Sequence, residues 1–327
     1  MKVLISIQQA VPQWQIPAEH AAAFGRQFPQ FEFRYAVTDD ERARGLAWCE
    51  VAYTWTLTPA ELHRAPGLRW LHTSAAAVET LCLPELAARN VVVTNTRGVQ
   101  SVPIAEHVLA VILAFAKQLP FVFENQQKAR WSQGEFVGAR LPWLLRGRTL
   151  GLIGVGTIGL EIARRGHALG MRVAALRRRP EQGTGEAVDL VFAPHELADL
   201  LAQTDVLVVA APLTRDTLGL IGAPQLARMR RGSYLINVGR ARIIDTDALV
   251  ASLQSGHLGG ASLDVFPQEP LPSDHPLWAC PNVILTPHTS GFRAGHWDDV
   301  VAVFADNLRR HERGEPLRFR VSAELGY

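Results

Sequence analysis

Three polar residues of complementary chemistry occur in the second half of the chain. Arg240, Glu269 and His288 each come shortly after a short apolar run that is typical of a buried strand. Because the carboxyl ends of the strands in an open α/β sheet face the ligand crevice, we expect the three side chains to converge. An arginine can bind a carboxylate and polarise a carbonyl, and a histidine can donate a proton. A carboxylate favours the charged form of a neighbouring histidine. The set suits the reduction of a 2-keto acid.

A glycine-rich hexapeptide connects an apolar run at 149–155 to an Ala/Leu-rich run at 160–169. It reads Gly154-Val155-Gly156-Thr157-Ile158-Gly159 and matches GxGxxG. Between a strand and a helix, the first glycine permits a tight turn, the second lets the backbone approach a pyrophosphate and the third allows close packing. Free N–H groups and the helix dipole attract the anion. We therefore predict a dinucleotide site that includes Thr157 and Ile158 as well as the three glycines.

Basic residues follow the second strand of this region. Arg177 lies 18 residues after Gly159, where an NAD-preferring site places an acidic residue on the ribose hydroxyl. Guanidinium groups instead pair with a 2′-phosphate through charge-assisted hydrogen bonds. The sequence thus predicts a preference for NADP(H) carried by Arg177 and Arg178, with Arg179 in reserve and NAD(H) still possible.

Composition excludes several other classes of protein. The 327 residues are 48% hydrophobic, which is ample for a buried core, and the formal net charge of +2 gives no argument for nucleic acid or an anionic membrane. The longest apolar run, 108–116, is about half of what a membrane span needs. The cysteines, Cys49, Cys82 and Cys280, form no metal-ligand pattern, so we expect no metal and a cytoplasmic location.

Strand-like and helical runs alternate along most of the chain, which indicates parallel βαβ units. In the second half, six strands are predicted, at 149–155, 172–176, 206–210, 234–238, 260–264 and 283–286. Two domains are expected: a substrate domain of residues 1–99 plus 290–327 and a dinucleotide-binding domain of residues 100–289. The predicted fold is α/β, with two Rossmann-like or flavodoxin-like, doubly wound parallel sheets and a cleft between them. Ser101 is expected to cap an apolar helix at 104–119, and an amphipathic helix at 297–313 is expected to return to the first domain.

Taken together, these motifs resemble the D-isomer-specific 2-hydroxyacid dehydrogenase family over about residues 68–291. The matching segments are Ala105-Glu106-His107, the GxGxxG, Ala211-Pro212-Leu213-Thr214, Leu235-Ile236-Asn237 with Arg240, Asp264-Val265-Phe266 with Glu269-Pro270, and Thr286-Pro287-His288. The resemblance implies that Arg240 binds substrate, that Glu269 and His288 form the acid–base pair, and that Asp264 contacts the nicotinamide carboxamide. It also implies a homodimer built around the helix at 104–119.

The resemblance implies further contacts. Cofactor contacts are expected at Pro212, Thr214, Val238, Gly239 and His288, and substrate contacts at Ala76, Ala77, Val78, Arg240 and His288. Two departures from the family pattern stand out. The usual Ala-Arg-Gly reads Gly239-Arg240-Ala241, and the loop usually written Ser-Ala-Gly-Val-Asp reads Ala75-Ala76-Ala77-Val78-Glu79. Replacement of glycine by Ala77 narrows the backbone angles of that loop.

Several activities remain open at this stage. The arginine pair at the cofactor site is similar to that of the NADPH-dependent glyoxylate and hydroxypyruvate reductases of the family. A small 2-keto acid is therefore the leading candidate substrate (EC 1.1.1.-). Trp48, Tyr53 and Trp55 would suit a larger or aromatic keto acid equally well. A long-form phosphoglycerate dehydrogenase is disfavoured because no further domain follows Tyr327. A formate dehydrogenase is disfavoured because Glu269 stands where those enzymes have glutamine. A phosphite-type dehydrogenase and a corepressor-like dinucleotide sensor remain as alternatives.

Overall fold

The computed structural model describes residues 1–180, 185–324 and 326. The chain divides into two compact units. Unit 1 comprises Met1–Val99 and Phe292–Tyr327, and unit 2 comprises Gln100–Gly291. Each unit is built around a parallel sheet flanked by helices, so the predicted α/β class with two parallel sheets is confirmed.

The sheet of unit 1 has five parallel strands in the order β2-β1-β3-β4-β5. The strands are β1 (Lys2–Ser6), β2 (Glu32–Tyr35), β3 (Val51–Thr54), β4 (Trp70–Thr73) and β5 (Val92–Thr94). The helices are α1 (Ala18–Gln27), α2 (Asp39–Trp48), α3 (Pro59–His63), α4 (Leu83–Ala88) and, near the end of the chain, α11 (His296–Glu312). Helix α11 packs on this sheet, because its Phe304 is fully buried with its ring centroid 4.3 Å from that of Tyr53.

The sheet of unit 2 has seven parallel strands in the order β12-β11-β10-β9-β6-β7-β8. They are β6 (Thr149–Ile153), β7 (Arg172–Leu176), β8 (Leu190–Phe192), β9 (Val206–Val209), β10 (Tyr234–Asn237), β11 (Gly260–Leu263) and β12 (Val283–Leu285). The helices are α5 (Ser101–Ala116), α6 (Leu119–Gln127), α7 (Thr157–Ala168), α8 (Leu197–Gln203), α9 (Ala223–Arg228) and α10 (Thr246–Gln254). The strand order reverses between β6 and β9, which creates a topological switch point.

The sequence pattern missed one strand and misplaced one helix start. Six strands were predicted where unit 2 has seven, because the partly buried edge strand β8 is only three residues long. Ser101 is the first residue of α5 and not its cap: Gln100 holds the cap position and makes no side-chain cap bond. Most of the apolar surface of α5 packs within unit 2, and among its large apolar residues only Val102 and Leu113 are substantially exposed.

Over the described residues, no single helix is long and apolar enough to cross a membrane. Helices α5 and α6 reach the required length and hydropathy only as a pair, and a bend of 71° separates them.

Two polar side chains are fully buried in the core of unit 1. His72 and Tyr53 have ring centroids 5.1 Å apart. Nδ1 of His72 lies 2.7 Å from the hydroxyl of Thr94, which also accepts a hydrogen bond from the indole of Trp70. Within the described part of the chain, neither Nε2 of His72 nor the Tyr53 hydroxyl has a partner. Burial lowers the pKa of His72 to about 3, so this residue is a neutral packing group.

This buried histidine should make the protein sensitive to acid. Because the unfolded chain binds a proton near the ordinary value of 6.5 and the folded chain does not, stability falls as the pH drops below 6.5. At pH 5 the effect is on the order of 2 kcal/mol. Urea unfolding of His72→Gln at pH 7 and pH 5 should show a smaller loss on acidification than the wild type. The exposed His311 provides the control, since His311→Gln should keep the full loss. Equal losses in wild type and His72→Gln would contradict this account.

Candidate active site and dinucleotide site

Glu269 and His288 form a direct pair in unit 2. Glu269 lies in the loop after β11 and His288 directly after β12, and these two strands are neighbours in the sheet. Nδ1 of His288 is 2.8 Å from Oε2 of Glu269, while Oε1 accepts a hydrogen bond of 2.9 Å from the backbone N–H of Phe266. The two side chains are 40% and 36% exposed, which keeps the pair accessible to a ligand. Because an ionised carboxylate only accepts hydrogen bonds, Nδ1 must carry the hydrogen.

Asp264 directly follows β11 and is 1% exposed. Its Oδ1 accepts hydrogen bonds from the Thr286 hydroxyl at 2.6 Å and from the N–H of Thr289 at 2.9 Å. The N–H of Ser290 contacts both oxygens, and the Ser290 hydroxyl donates to Oδ2. His288 lies between these donors in the left-handed backbone region, at φ 55°.

Arg240 follows β10, the strand next to β11. The amide of Asn237 shapes the turn before it, because it donates to the carbonyl of Arg240 and accepts from the N–H of Gly239. Gly239 cannot carry a side chain here, since a Cβ would lie 2.8 Å from the carbonyl oxygen of Ala211. The departure Gly239-Arg240-Ala241 therefore fits a tight contact between the loops after β9 and β10.

The glycine loop has the geometry that a pyrophosphate requires. Gly154 has φ 96° and packs against Ala211, and a Cβ on Gly159 would lie 2.2 Å from the carbonyl oxygen of Gly154. A Cβ on Gly156, in contrast, would meet nothing within 4 Å. Helix α7 begins at Thr157 without a side-chain cap or an acidic residue in its first turn. Its free N–H groups and the open space at Gly156 therefore fit a bound dinucleotide phosphate.

The other predicted cofactor residues lie at the same edge of this sheet. Arg177 and Arg178 follow β7, and the backbone N–H of Arg177 donates to the carbonyl of Phe192 at 2.9 Å. Pro212 and Thr214 lie in the loop after β9, which Thr217 closes by accepting a hydrogen bond from the N–H of Thr214 and donating one to the carbonyl of Pro212. Val238 and Gly239 come directly after β10.

The predicted substrate loop belongs to unit 1 and follows β4. Asn95 donates a hydrogen bond of 2.8 Å to the carbonyl of Ala76, and the N–H of Thr96 donates to the carbonyl of Ala75. No hydrogen bond between described residues uses the N–H groups of Ala76, Ala77 or Val78. These donors remain available to an anion.

Sequence reasoning missed the residues that support the site. These supporting residues are polar and lie at or just after the ends of strands: Asn95, Asn237, Thr286 and Ser290. Their polar character at strand ends is the sequence signal that could have identified them. Across the residues that the structure describes, no group of three His, Cys, Asp or Glu side chains could hold a metal ion.

Comparison with known proteins identifies the relatives of this chain. The family model for the NAD-binding domain of D-isomer specific 2-hydroxyacid dehydrogenases matches residues 109–290. Glyoxylate/hydroxypyruvate reductase B of Pectobacterium atrosepticum is 37% identical over 252 residues, which cover 76% of this chain and 77% of that protein. D-3-phosphoglycerate dehydrogenase of Archaeoglobus fulgidus is 31% identical over 261 residues, covering 80% of this chain but about half, 48%, of that protein.

A solved structure is similar over the whole chain. It is the NADPH-dependent glyoxylate/hydroxypyruvate reductase of Sinorhizobium meliloti in complex with NADP and sulfate, with a TM-score of 0.84, 26% identity and coverage of 100% of this chain and 99% of that one. The predicted family and the nicotinamide cofactor are thereby confirmed. The chain is an oxidoreductase that belongs to the D-isomer specific 2-hydroxyacid dehydrogenase family.

Proposed function

We propose that this protein uses NADPH to reduce a small 2-keto acid, with glyoxylate and hydroxypyruvate as leading substrates. The observation that carries the proposal is the 2.8 Å contact between Glu269 and His288 at the edge of the sheet where the glycine loop lies. Relatives named as glyoxylate or hydroxypyruvate reductases support the choice of substrate.

The proposed mechanism assigns one task to each side chain. The glycine loop at 154–159 would hold the nicotinamide cofactor, which would supply the hydride for C2 of the keto acid. Arg240 pairs with the substrate carboxylate and polarises the carbonyl. His288 donates the proton on Nε2 to the carbonyl oxygen, which becomes the hydroxyl of the product. Glu269 stabilises the positive charge that His288 carries before this transfer.

Two further groups of residues are assigned contacts with the substrate or the cofactor. The N–H groups of Ala76, Ala77 and Val78 hold the carboxylate, which agrees with their lack of hydrogen-bond partners among the described residues. The cofactor contacts assigned to the loops after β9 and β10 follow from their place at the same sheet edge as the glycine loop.

A second class of substrate is favoured by an aromatic cluster in unit 1. Trp14 stacks on Trp55 with ring centroids 5.4 Å apart, and Phe292 meets Trp14 edge to face at 5.5 Å. Trp55 directly follows β3, at the carboxyl end of that sheet. An aryl 2-keto acid such as phenylpyruvate is therefore the alternative to glyoxylate.

Removal of the proton donor tests the reaction class. His288→Ala should lower turnover roughly 100- to 10,000-fold with glyoxylate, hydroxypyruvate, pyruvate or phenylpyruvate, because a positioned general acid contributes about this much. Initial rates with NADPH and with NADH for the four acids provide the measurement. His275→Ala, a change at another histidine of unit 2, serves as the control. Tight cofactor binding without turnover in the wild type would favour an untested substrate or a dinucleotide-sensing protein.

The partner of His288 can be tested through the pH profile. Glu269→Gln removes the negative charge beside the imidazole, so the positive charge of the proton donor loses its stabilising partner. The pH dependence of kcat/KM for keto-acid reduction should therefore shift toward lower pH in this variant. A profile that matches the wild type would contradict the acid–base pair.

Arginines after β7 should determine the choice of cofactor. Loss of a hydrogen-bonded charge pair with a 2′-phosphate costs about 1.5–3 kcal/mol, so Arg177→Asp should lower the NADPH/NADH ratio of kcat/KM roughly 10- to 100-fold. Arg172→Asp is the matched control, because Arg172 is exposed at the opposite end of the same strand. An unchanged ratio in Arg177→Asp, or a wild type that prefers NADH, would overturn this preference.

A homodimer is proposed from exposed apolar side chains in the segment of the chain that follows α5. These side chains, with exposed fractions of 54% to 88%, are Phe123, Trp131, Val137, Leu141 and Leu144. Several large apolar side chains that are exposed within one short segment favour a protein interface there. Trp131→Asp with Leu144→Asp should reduce the mass measured by light scattering from two chains to one. Trp278→Asp, at another exposed tryptophan of unit 2, should keep the dimer. A monomeric wild type would contradict the proposal.

A further inference from the structure

The carboxylate of Asp264 binds the backbone on both sides of His288. Thr286 lies two residues before His288, whereas Thr289 and Ser290 lie one and two residues after it. The carboxylate accepts hydrogen bonds from two hydroxyls and from two backbone N–H groups of these three residues. A single side chain therefore fixes the start and the end of the segment that carries the proposed proton donor.

Holding a loop with a buried carboxylate costs free energy, because the charge loses its hydration. Asp264 is 1% exposed, and all four of its donor groups are neutral. Burial of a charge is tolerated only when hydrogen bonds replace its hydration. An ionised carboxylate is suited to this because it has only acceptor sites, about four in number, whereas an asparagine would present an NH₂ group to one set of these donors. The two backbone N–H groups can only donate, so the arrangement favours an aspartate.

The held segment contains a strained residue. His288 adopts φ 55°, a region that non-glycine residues rarely occupy, and its N–H donates to the carbonyl of Thr286 at 2.9 Å. Such a conformation persists only where the surroundings determine it. The N–H of Thr286 is also bound, to the carbonyl of Leu263 at 3.0 Å. Glu269 fixes the ring of His288, and Asp264 fixes its backbone.

We propose that Asp264 is a positioning residue for His288: its hydrogen bonds to Thr286, Thr289 and Ser290 hold the left-handed turn that keeps the imidazole against Glu269. This inference rests on the proposed function of His288. It differs from the contact with the nicotinamide carboxamide that the family resemblance implies, because it needs no cofactor. Three titratable groups affect the charge around this segment: Asp264 itself, Glu269, and His107 of α5. Burial lowers the pKa of His107, and the negative charge of Asp264 partly counteracts this lowering.

The test uses three variants of the full-length protein that remove different parts of the network. Asp264→Asn removes acceptor sites, while Ser290→Ala and Thr286→Val each remove one hydroxyl donor and are milder should Asp264→Asn fail to fold. Ser262→Ala is the matched control, because Ser262 is fully buried on β11 and its hydroxyl has no partner among the described residues.

The first readout is the NMR titration of His288 in histidine-labelled protein, assigned with His288→Gln. If the ring leaves Glu269, the midpoint of this titration should move to lower pH in all three variants and stay unchanged in Ser262→Ala. The second readout is kinetic. A displacement of about 1 Å should lower kcat for keto-acid reduction by about 100-fold in Asp264→Asn, with the NADPH Kd within about twofold of the wild type.

Two results would overturn the proposal. One is a His288 titration whose midpoint matches that of the wild type in every variant that folds. The other is an NADPH Kd that weakens more than tenfold in Asp264→Asn with the His288 titration unchanged, which would assign Asp264 to the cofactor. A wild type without keto-acid reduction would refute the proposed function, and the NMR titration would still decide the positioning role.

Discussion

The close approach of α7 to β6 is the constraint on which the rest of unit 2 depends. A Cβ on Gly159 would lie 2.2 Å from the carbonyl oxygen of Gly154, and a Cβ on Gly166 would lie 2.6 Å from a methyl group of Leu150. Side chains at these positions would push α7 away from β6. Because the helix begins immediately after the strand, its unbonded N–H groups lie at the carboxyl edge of the sheet. The site for an anion is thus a result of packing as much as of ligand chemistry.

Parallel pairing then brings the remaining polar residues to the same edge. β10, β11 and β12 are adjacent and run in one direction, so Arg240, Glu269 and His288 leave the sheet on the same side. This is why residues separated by almost 50 positions in the chain could be grouped from sequence alone. The strand positions suffice for this grouping, because ligands bind at the carboxyl ends of the strands in such sheets. The contact between Glu269 and His288 agrees with that reasoning.

What the sequence could not indicate are features that depend on tertiary contacts. The strand β8 is too short and too exposed to carry a recognisable hydrophobic pattern. Ser101 has the residue type of a helix cap, but its hydroxyl is buried within the first turn of α5. Local preference was overridden here by the packing of an apolar helix. The hydrogen bonds of Asp264 were equally hidden, because its donors lie more than 20 residues away, in the segment that follows β12.

Exposure separates the residues of the site by task. Glu269 and His288, the proposed proton-transfer pair, are more than a third exposed, whereas Asp264 is almost completely buried. Because few side chains pack around Glu269 and His288, the geometry of this pair depends on the backbone segments that carry the two residues. Asn237 holds the turn at Arg240 through a hydrogen bond to its carbonyl, and Asn95 holds the loop of unit 1 through a hydrogen bond to the carbonyl of Ala76. In each case a buried amide or carboxylate at a strand end fixes a loop whose own side chains or N–H groups are left for the ligand. Replacement of the usual glycine by Ala77 fits this division, because a loop held at its carbonyls needs less backbone freedom.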